Sequence, residues 1–114
     1  MNLFEKYNIK LSTICDRVHA VTKDSKHQIL AQFLDLWNSS KDIKDDLLPK
    51  LIPVVDGEME FNDIDADVVG LAYIEANTTK LIGSDVGYFD LELPTEDFKE
   101  LIIQWLSILE KEGR

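Results

Sequence analysis

The sequence predicts an α+β fold: N-terminal helices, a small, largely antiparallel sheet from about residue 57 to 93, and a C-terminal amphipathic helix packed on the sheet. Three observations predict it. Apolar residues recur at helical spacing up to Trp37, alternate in twos between residues 67 and 93, and return to helical spacing from Phe98 onward. Such a switch of period separates helical from strand segments along one chain.

Taken in order, Leu11, Ile14, Cys15, Val18 and Val21 fit one face of a first helix, with Ser12 available to cap it. Ser25 precedes Ile29, Leu30, Phe33, Leu34 and Trp37, a second helix ending near Asn38-Ser39-Ser40. The stretch 41–65 is less regular. Asp45-Asp46-Leu47-Leu48-Pro49 suits a short helix broken at Pro49, and Pro53 argues against a central strand. Gly57–Phe61 alternates and suits an edge strand whose acids discourage aggregation.

From Asp67 to Glu75 both alternating faces are apolar, which predicts a central strand covered on each side. Asn77 and Thr78 suit a turn, and Lys80–Ile82 its returning neighbour. Val86–Leu93 is a further strand, with Phe89, Leu91 and Leu93 on one face. Pro94 ends that strand and Thr95 starts the last helix, where Glu96 and Asp97 complement the helix dipole. Phe98, Leu101, Ile102, Trp105, Leu106 and Leu109 form its apolar stripe. Each would contribute on the order of 1.5–3 kcal/mol when buried, so this face must lie on the sheet.

At 114 residues, with 45% hydrophobic content, the chain suits one domain spanning 1–114 with its own core. Its one cysteine has no internal disulfide partner. The start, MNLFEKYNIK, lacks the pattern of a secretory signal, and no apolar run is long enough to span a membrane. A cytoplasmic protein without membrane contact is expected. The formal net charge is −10, from 22 acids and 12 bases. That charge disfavours binding to nucleic acid and favours encounter with a basic partner, although solubility alone also accounts for it.

Little in the chain supports catalysis. Asp63-x-Asp65-x-Asp67 resembles the start of a calcium loop, but Val68 and Ile74 occupy the positions that need glycine and a bidentate glutamate. Cys15 and His19, four apart on the expected helix, place the thiol on an apolar stripe that would keep it inert. His27 is expected at the surface beside Lys26. The carboxylates are many and none is marked as a catalytic pair. The five glycines are scattered, and no nucleophile elbow or metal cluster occurs. The expectation is a non-enzyme without metal or cofactor.

The stretch from Gly87 through Tyr88, Phe89, Asp90, Leu91, Glu92, Leu93, Pro94 and Thr95 to Trp105 resembles the C-terminal hairpin and helix of small bacterial immunity proteins. These accompany polymorphic toxins, including those of contact-dependent growth inhibition. The resemblance covers about a sixth of the chain and implies a protein that binds one cognate toxin domain and neutralises it. It carries over no binding residue.

The charge distribution supplies a candidate surface instead. Residues 1–34 carry three acids and five bases, residues 35–67 ten acids and three bases, and residues 68–114 nine acids and four bases. Within the acidic middle third, Asp42, Asp45, Asp46, Asp56, Glu58, Glu60, Asp63, Asp65 and Asp67 are the candidate partner-binding residues. They would meet a basic toxin domain, such as a nuclease whose groove is built for phosphate. The alternatives are an acidic interaction or regulatory domain without a toxin partner, and a solvated face with no partner. Ile103 and Ile108 lie off the main stripe of the last helix, where they suit either wide burial or a patch for a partner or a second copy.

Overall fold

The computed structural model describes residues 3–65, 70–83 and 91–114. Helices α1 (Leu3–Lys6), α2 (Gln28–Leu36), α3 (Ser40–Asp42), α4 (Leu48–Val55) and α5 (Thr95–Lys111) accompany two antiparallel sheets. One is a hairpin of β1 (Lys10–Ile14) and β2 (Arg17–Val21). The other has four strands in the order β3 (Phe61–Asp65), β4 (Gly70–Glu75), β5 (Thr78–Gly83), β6 (Leu91–Pro94). The fold is α+β with a C-terminal helix after the strands.

The first expected helix is instead the β1–β2 hairpin. Its register pairs Ile14 with Arg17 and leaves Cys15 and Asp16 as a two-residue turn. Their φ values, +53° and +65°, are those of a type I′ turn, whose twist matches that of the strands. The β-branched residues Thr13, Ile14, Val18 and Val21 are stiff at χ1 and favour the extended chain. Period alone did not separate the two states. Val18 and Ala20 face inward and are buried, while Leu11, Ile14 and Val21 are exposed.

The free edge of β2 is satisfied by side chains. Val18 N–H donates to Glu112 Oε1, Arg114 Nη1 donates to Val18 O, and Ala20 N–H donates to Asp35 Oδ1. Asp35 therefore ties the hairpin to α2, and the last residues of the chain tie it to the end of α5. Each bond removes an edge group that would otherwise invite another strand.

Residues 40–55 form one continuous helical run rather than a helix broken at Pro49. Between α3 and α4 the turn Ile43–Leu47 is π-helical, and Leu48 N–H reaches back five residues to Ile43 O. A proline clashes with the carbonyl four residues before it. The wider turn ahead of Pro49 relieves that clash and lets the helix continue. Ile43, Leu47, Leu51 and Val54, spaced four, four and three apart, are fully buried. The edge strand also falls later than the alternation at Gly57–Phe61 indicated, at Phe61–Asp65, and Met59 and Phe61 are exposed.

The helices lie on one face of the four-stranded sheet. Ile64, Ala72, Ile74, Leu81, Leu91 and Leu93 point into the core with Phe98, Leu101, Ile102, Trp105 and Leu109 of α5. Thus α5 forms as expected and buries its stripe, Leu106 only in part, and Gly113 with φ +75° lies just past its end. Trp105 Nε1 donates to Trp37 O at 2.7 Å, closing the end of α2, and Phe33 packs on Phe98 with centroids 5.5 Å apart. Ile108 packs against the core, whereas Ile103 is exposed.

Candidate interaction surface

β4 is central in its sheet, but among the described residues it is covered on one side, not two. Strand residues alternate between faces. Ala72 and Ile74 enter the core, and Leu71, Tyr73 and Glu75 project the other way, where Leu71 and Tyr73 stay half-buried. The register sets Phe61 opposite Glu75, Asp63 opposite Tyr73, and Asp65 opposite Leu71. On the far side it sets Lys80 opposite Tyr73 and Ile82 opposite Leu71, with Glu92 opposite Lys80.

The open face is therefore an apolar centre set among charges. Phe61 is 51% exposed and stacks on Tyr73, with centroids 5.5 Å apart and ring planes 23° from parallel. Ile82 is also exposed. Asp63, Asp65, Glu75 and Glu92 stand around these side chains, with Lys80 the one cation there among the described residues. Aromatic anchors within a polar rim are the usual energetic centre of a protein interface.

All eight described members of the acidic set are exposed; Asp67 lies outside the described residues. They do not form one patch. Asp63 and Asp65 share the open face of the sheet, and Glu60 immediately precedes β3. Asp42, Asp45 and Asp46 sit at the start of the helical run, whose buried side packs on the opposite face. Asp42, in the first turn of that run, complements the helix dipole, a local structural reason for its charge. Asp56 and Glu58 follow the C-terminus of α4, where the dipole disfavours them. Reading along the sequence missed all four: it placed Leu71 and Tyr73 on a strand covered on both sides, Phe61 at the end of an edge strand and Ile82 on the returning neighbour. Their signal was strand parity: Phe61, Asp63 and Asp65 alternate with buried Ile64.

The histidines and the cysteine differ from expectation. Cys15 is exposed at the hairpin tip, and His19, across the turn, bonds Asp35 at 3.0 Å through Nδ1. His27 is largely buried, with Nδ1 2.8 Å from Asp24 and its ring edge-on to Tyr7. Asp24 also accepts from Asn8 Nδ2 and Lys26 N–H, and these bonds, Asn8's foremost, hold its carboxyl below the usual range. Each histidine thus serves a structural contact with a carboxylate.

Near this end of the molecule Tyr7 O–H and Lys6 Nζ both donate to Asp97, at 2.6 and 2.8 Å. The bond from Lys6, then that from Tyr7, lowers the Asp97 pKa, while burial raises that of the Tyr7 phenol. A hollow of about 700 Å³ opens beside the hairpin base between Ile9, Lys10, Val21 and Lys23. Among the described residues, no cluster of three His, Cys, Asp or Glu side chains could hold a metal, and no helix is long and apolar enough to cross a membrane.

No family model, curated protein or solved structure matches the chain.

Proposed function

We propose that the chain is a binding protein, not an enzyme, and that it acts in the cytoplasm as an immunity protein against a cognate bacterial toxin. The observation that carries this reading is the open sheet face, where the Phe61–Tyr73 stack lies among Asp63, Asp65, Glu75 and Glu92 on a chain of net charge −10. The aromatic pair supplies apolar area for affinity, and the carboxylates supply steering and selection for a basic partner. A nuclease toxin presents such a surface, since its groove must accept phosphate. An acidic face seated over that groove excludes the substrate without any chemistry. The resemblance of residues 87–105 to the C-terminal segment of immunity proteins supports the same role.

The test is rescue. The gene should lie directly downstream of a large secreted toxin, and co-expression should protect cells from that toxin's C-terminal domain. An isolated locus, or protection no better than an empty vector, overturns the immunity role. It would leave an acidic domain that regulates some other basic protein.

A further inference from the structure

Resting on the reading of the open face as the docking surface, we propose that Phe61, Asp63, Tyr73 and Glu75 form a seat for one arginine side chain of the partner. The register makes these four a square: Phe61 beside Glu75 across the strands, and Asp63 beside Tyr73. Directly opposed residues have Cβ atoms about 4.5–5.5 Å apart, and diagonal ones reach each other when the side chains are long or aromatic. One diagonal is the stacked aromatic pair, and the other is a pair of carboxylates.

That pattern matches a guanidinium group better than an ammonium. A guanidinium is planar, weakly hydrated and edged with donors, so it lies on an aromatic ring while its edges meet carboxylates on either side. An ammonium is a compact, strongly hydrated charge and gains less from the rings. The seat is also unclaimed from within. Among the described residues the lysine and arginine ion pairs are Lys6–Asp97, Lys44–Glu110 and Arg114–Glu112, none of which involves Asp63 or Glu75. Lys80, the nearby cation by register, pairs with neither. The exposed ring of Phe61 and the two carboxylates together are what an incoming arginine would cover.

The probe is a pair of capped pentapeptides, Gly-Gly-Arg-Gly-Gly and its lysine counterpart, titrated into the full chain at low salt and followed by amide chemical shifts. The expected result is saturable shifts confined to residues 61–63 and 73–75, with the arginine peptide about two- to fivefold tighter than the lysine peptide. Phe61→Leu should erase the preference for arginine, and Glu75→Gln should weaken both peptides. The spectra themselves report that each variant is folded. Equal affinity for the two peptides, or shifts centred on Asp42, Asp45 and Asp46, overturns the seat. Failure of the immunity role is separately visible: arginine preference without rescue removes the toxin and keeps the seat, and rescue without arginine preference does the reverse.

Discussion

Replacing Thr95 by valine removes one hydroxyl and almost no volume, at the point where α5 is stitched to the sheet. Thr95 and Thr79 are the buried polar residues of the described core, 1% and 0% exposed. Thr95 Oγ1 donates to Glu75 O, so its single proton is spent, and the 2.9 Å contact with Thr79 must be a donation from Thr79 Oγ1. Thr95→Val therefore strands two groups, the Glu75 carbonyl and the Thr79 hydroxyl. A buried group left without its partner costs about 1–3 kcal/mol, so about 2 kcal/mol is expected for the pair after partial relaxation. With an unfolding entropy of about 2.1 cal/mol/K per residue, this lowers the melting temperature by roughly 8 °C. Thr79→Val alone should cost about 1 kcal/mol, and the double variant about 1 kcal/mol less than the sum, because the stranded Thr79 hydroxyl is gone. Urea unfolding of the four proteins measures the cycle. Strict additivity, or a Thr95→Val protein within 0.5 kcal/mol of wild type, would refute this hydroxyl chain.

Two further perturbations test other joints of the fold. Gly70 has φ +144°, and a Cβ there would lie 2.0 Å from Ile82 O across the β4–β5 ladder. Gly70→Ala should cost about 3 kcal/mol or more from strain and overpacking combined, read as a shift in urea midpoint; a loss below 1 kcal/mol contradicts the close approach. Asp97→Ala removes the acceptor of the Tyr7 hydroxyl and should cost about 1.5–3 kcal/mol at neutral pH. The Asp97 pKa is depressed in the fold, so its contribution is full above its ordinary 3.8 and is lost as pH falls through the folded value. Wild type and variant should therefore converge in acid, and a gap that persists there would assign the effect to packing.

What was legible in the sequence followed from long or strongly patterned segments. The stripe from Phe98 to Leu109 fills too many turns to be anything but a helix, and the turn expected at Asn77-Thr78, which falls one residue earlier at Ala76-Asn77, places β4 beside β5. Residues 10–21 misled because five apolar side chains at helical spacing can equally be a hairpin with an uneven face. The deciding fact was the left-handed Cys15-Asp16 turn, and aspartate tolerates that conformation without demanding it. Residues 43–54 carried a helical stripe in plain view, but Pro49 argued for a break, and the π-helical turn ahead of it lets the helix continue. The surface was half legible. Its charge could be counted along the chain, but the division between the helix acids and the strand acids depends on which sheet face each residue takes. The Phe61–Tyr73 stack depends on a register that no single segment contains.

The central claim is that a basic partner docks on the open sheet face, and the association rate tests it most directly. Under the proposed immunity role the partner to use is the C-terminal domain of a toxin encoded upstream, and two neutralised sets are compared with wild type across a salt series. Glu60→Gln, Asp63→Asn, Asp65→Asn and Glu75→Gln on the sheet side should slow association at least tenfold at low salt. The difference should narrow as salt shortens the reach of the field. Asp42→Asn, Asp45→Asn and Asp46→Asn on the helix side should change the rate by less than about threefold, since these charges flank the other layer. Equal slowing by both sets would mean that total charge alone steers the encounter. A sheet-side set that associates at the wild-type rate throughout would contradict the claim outright.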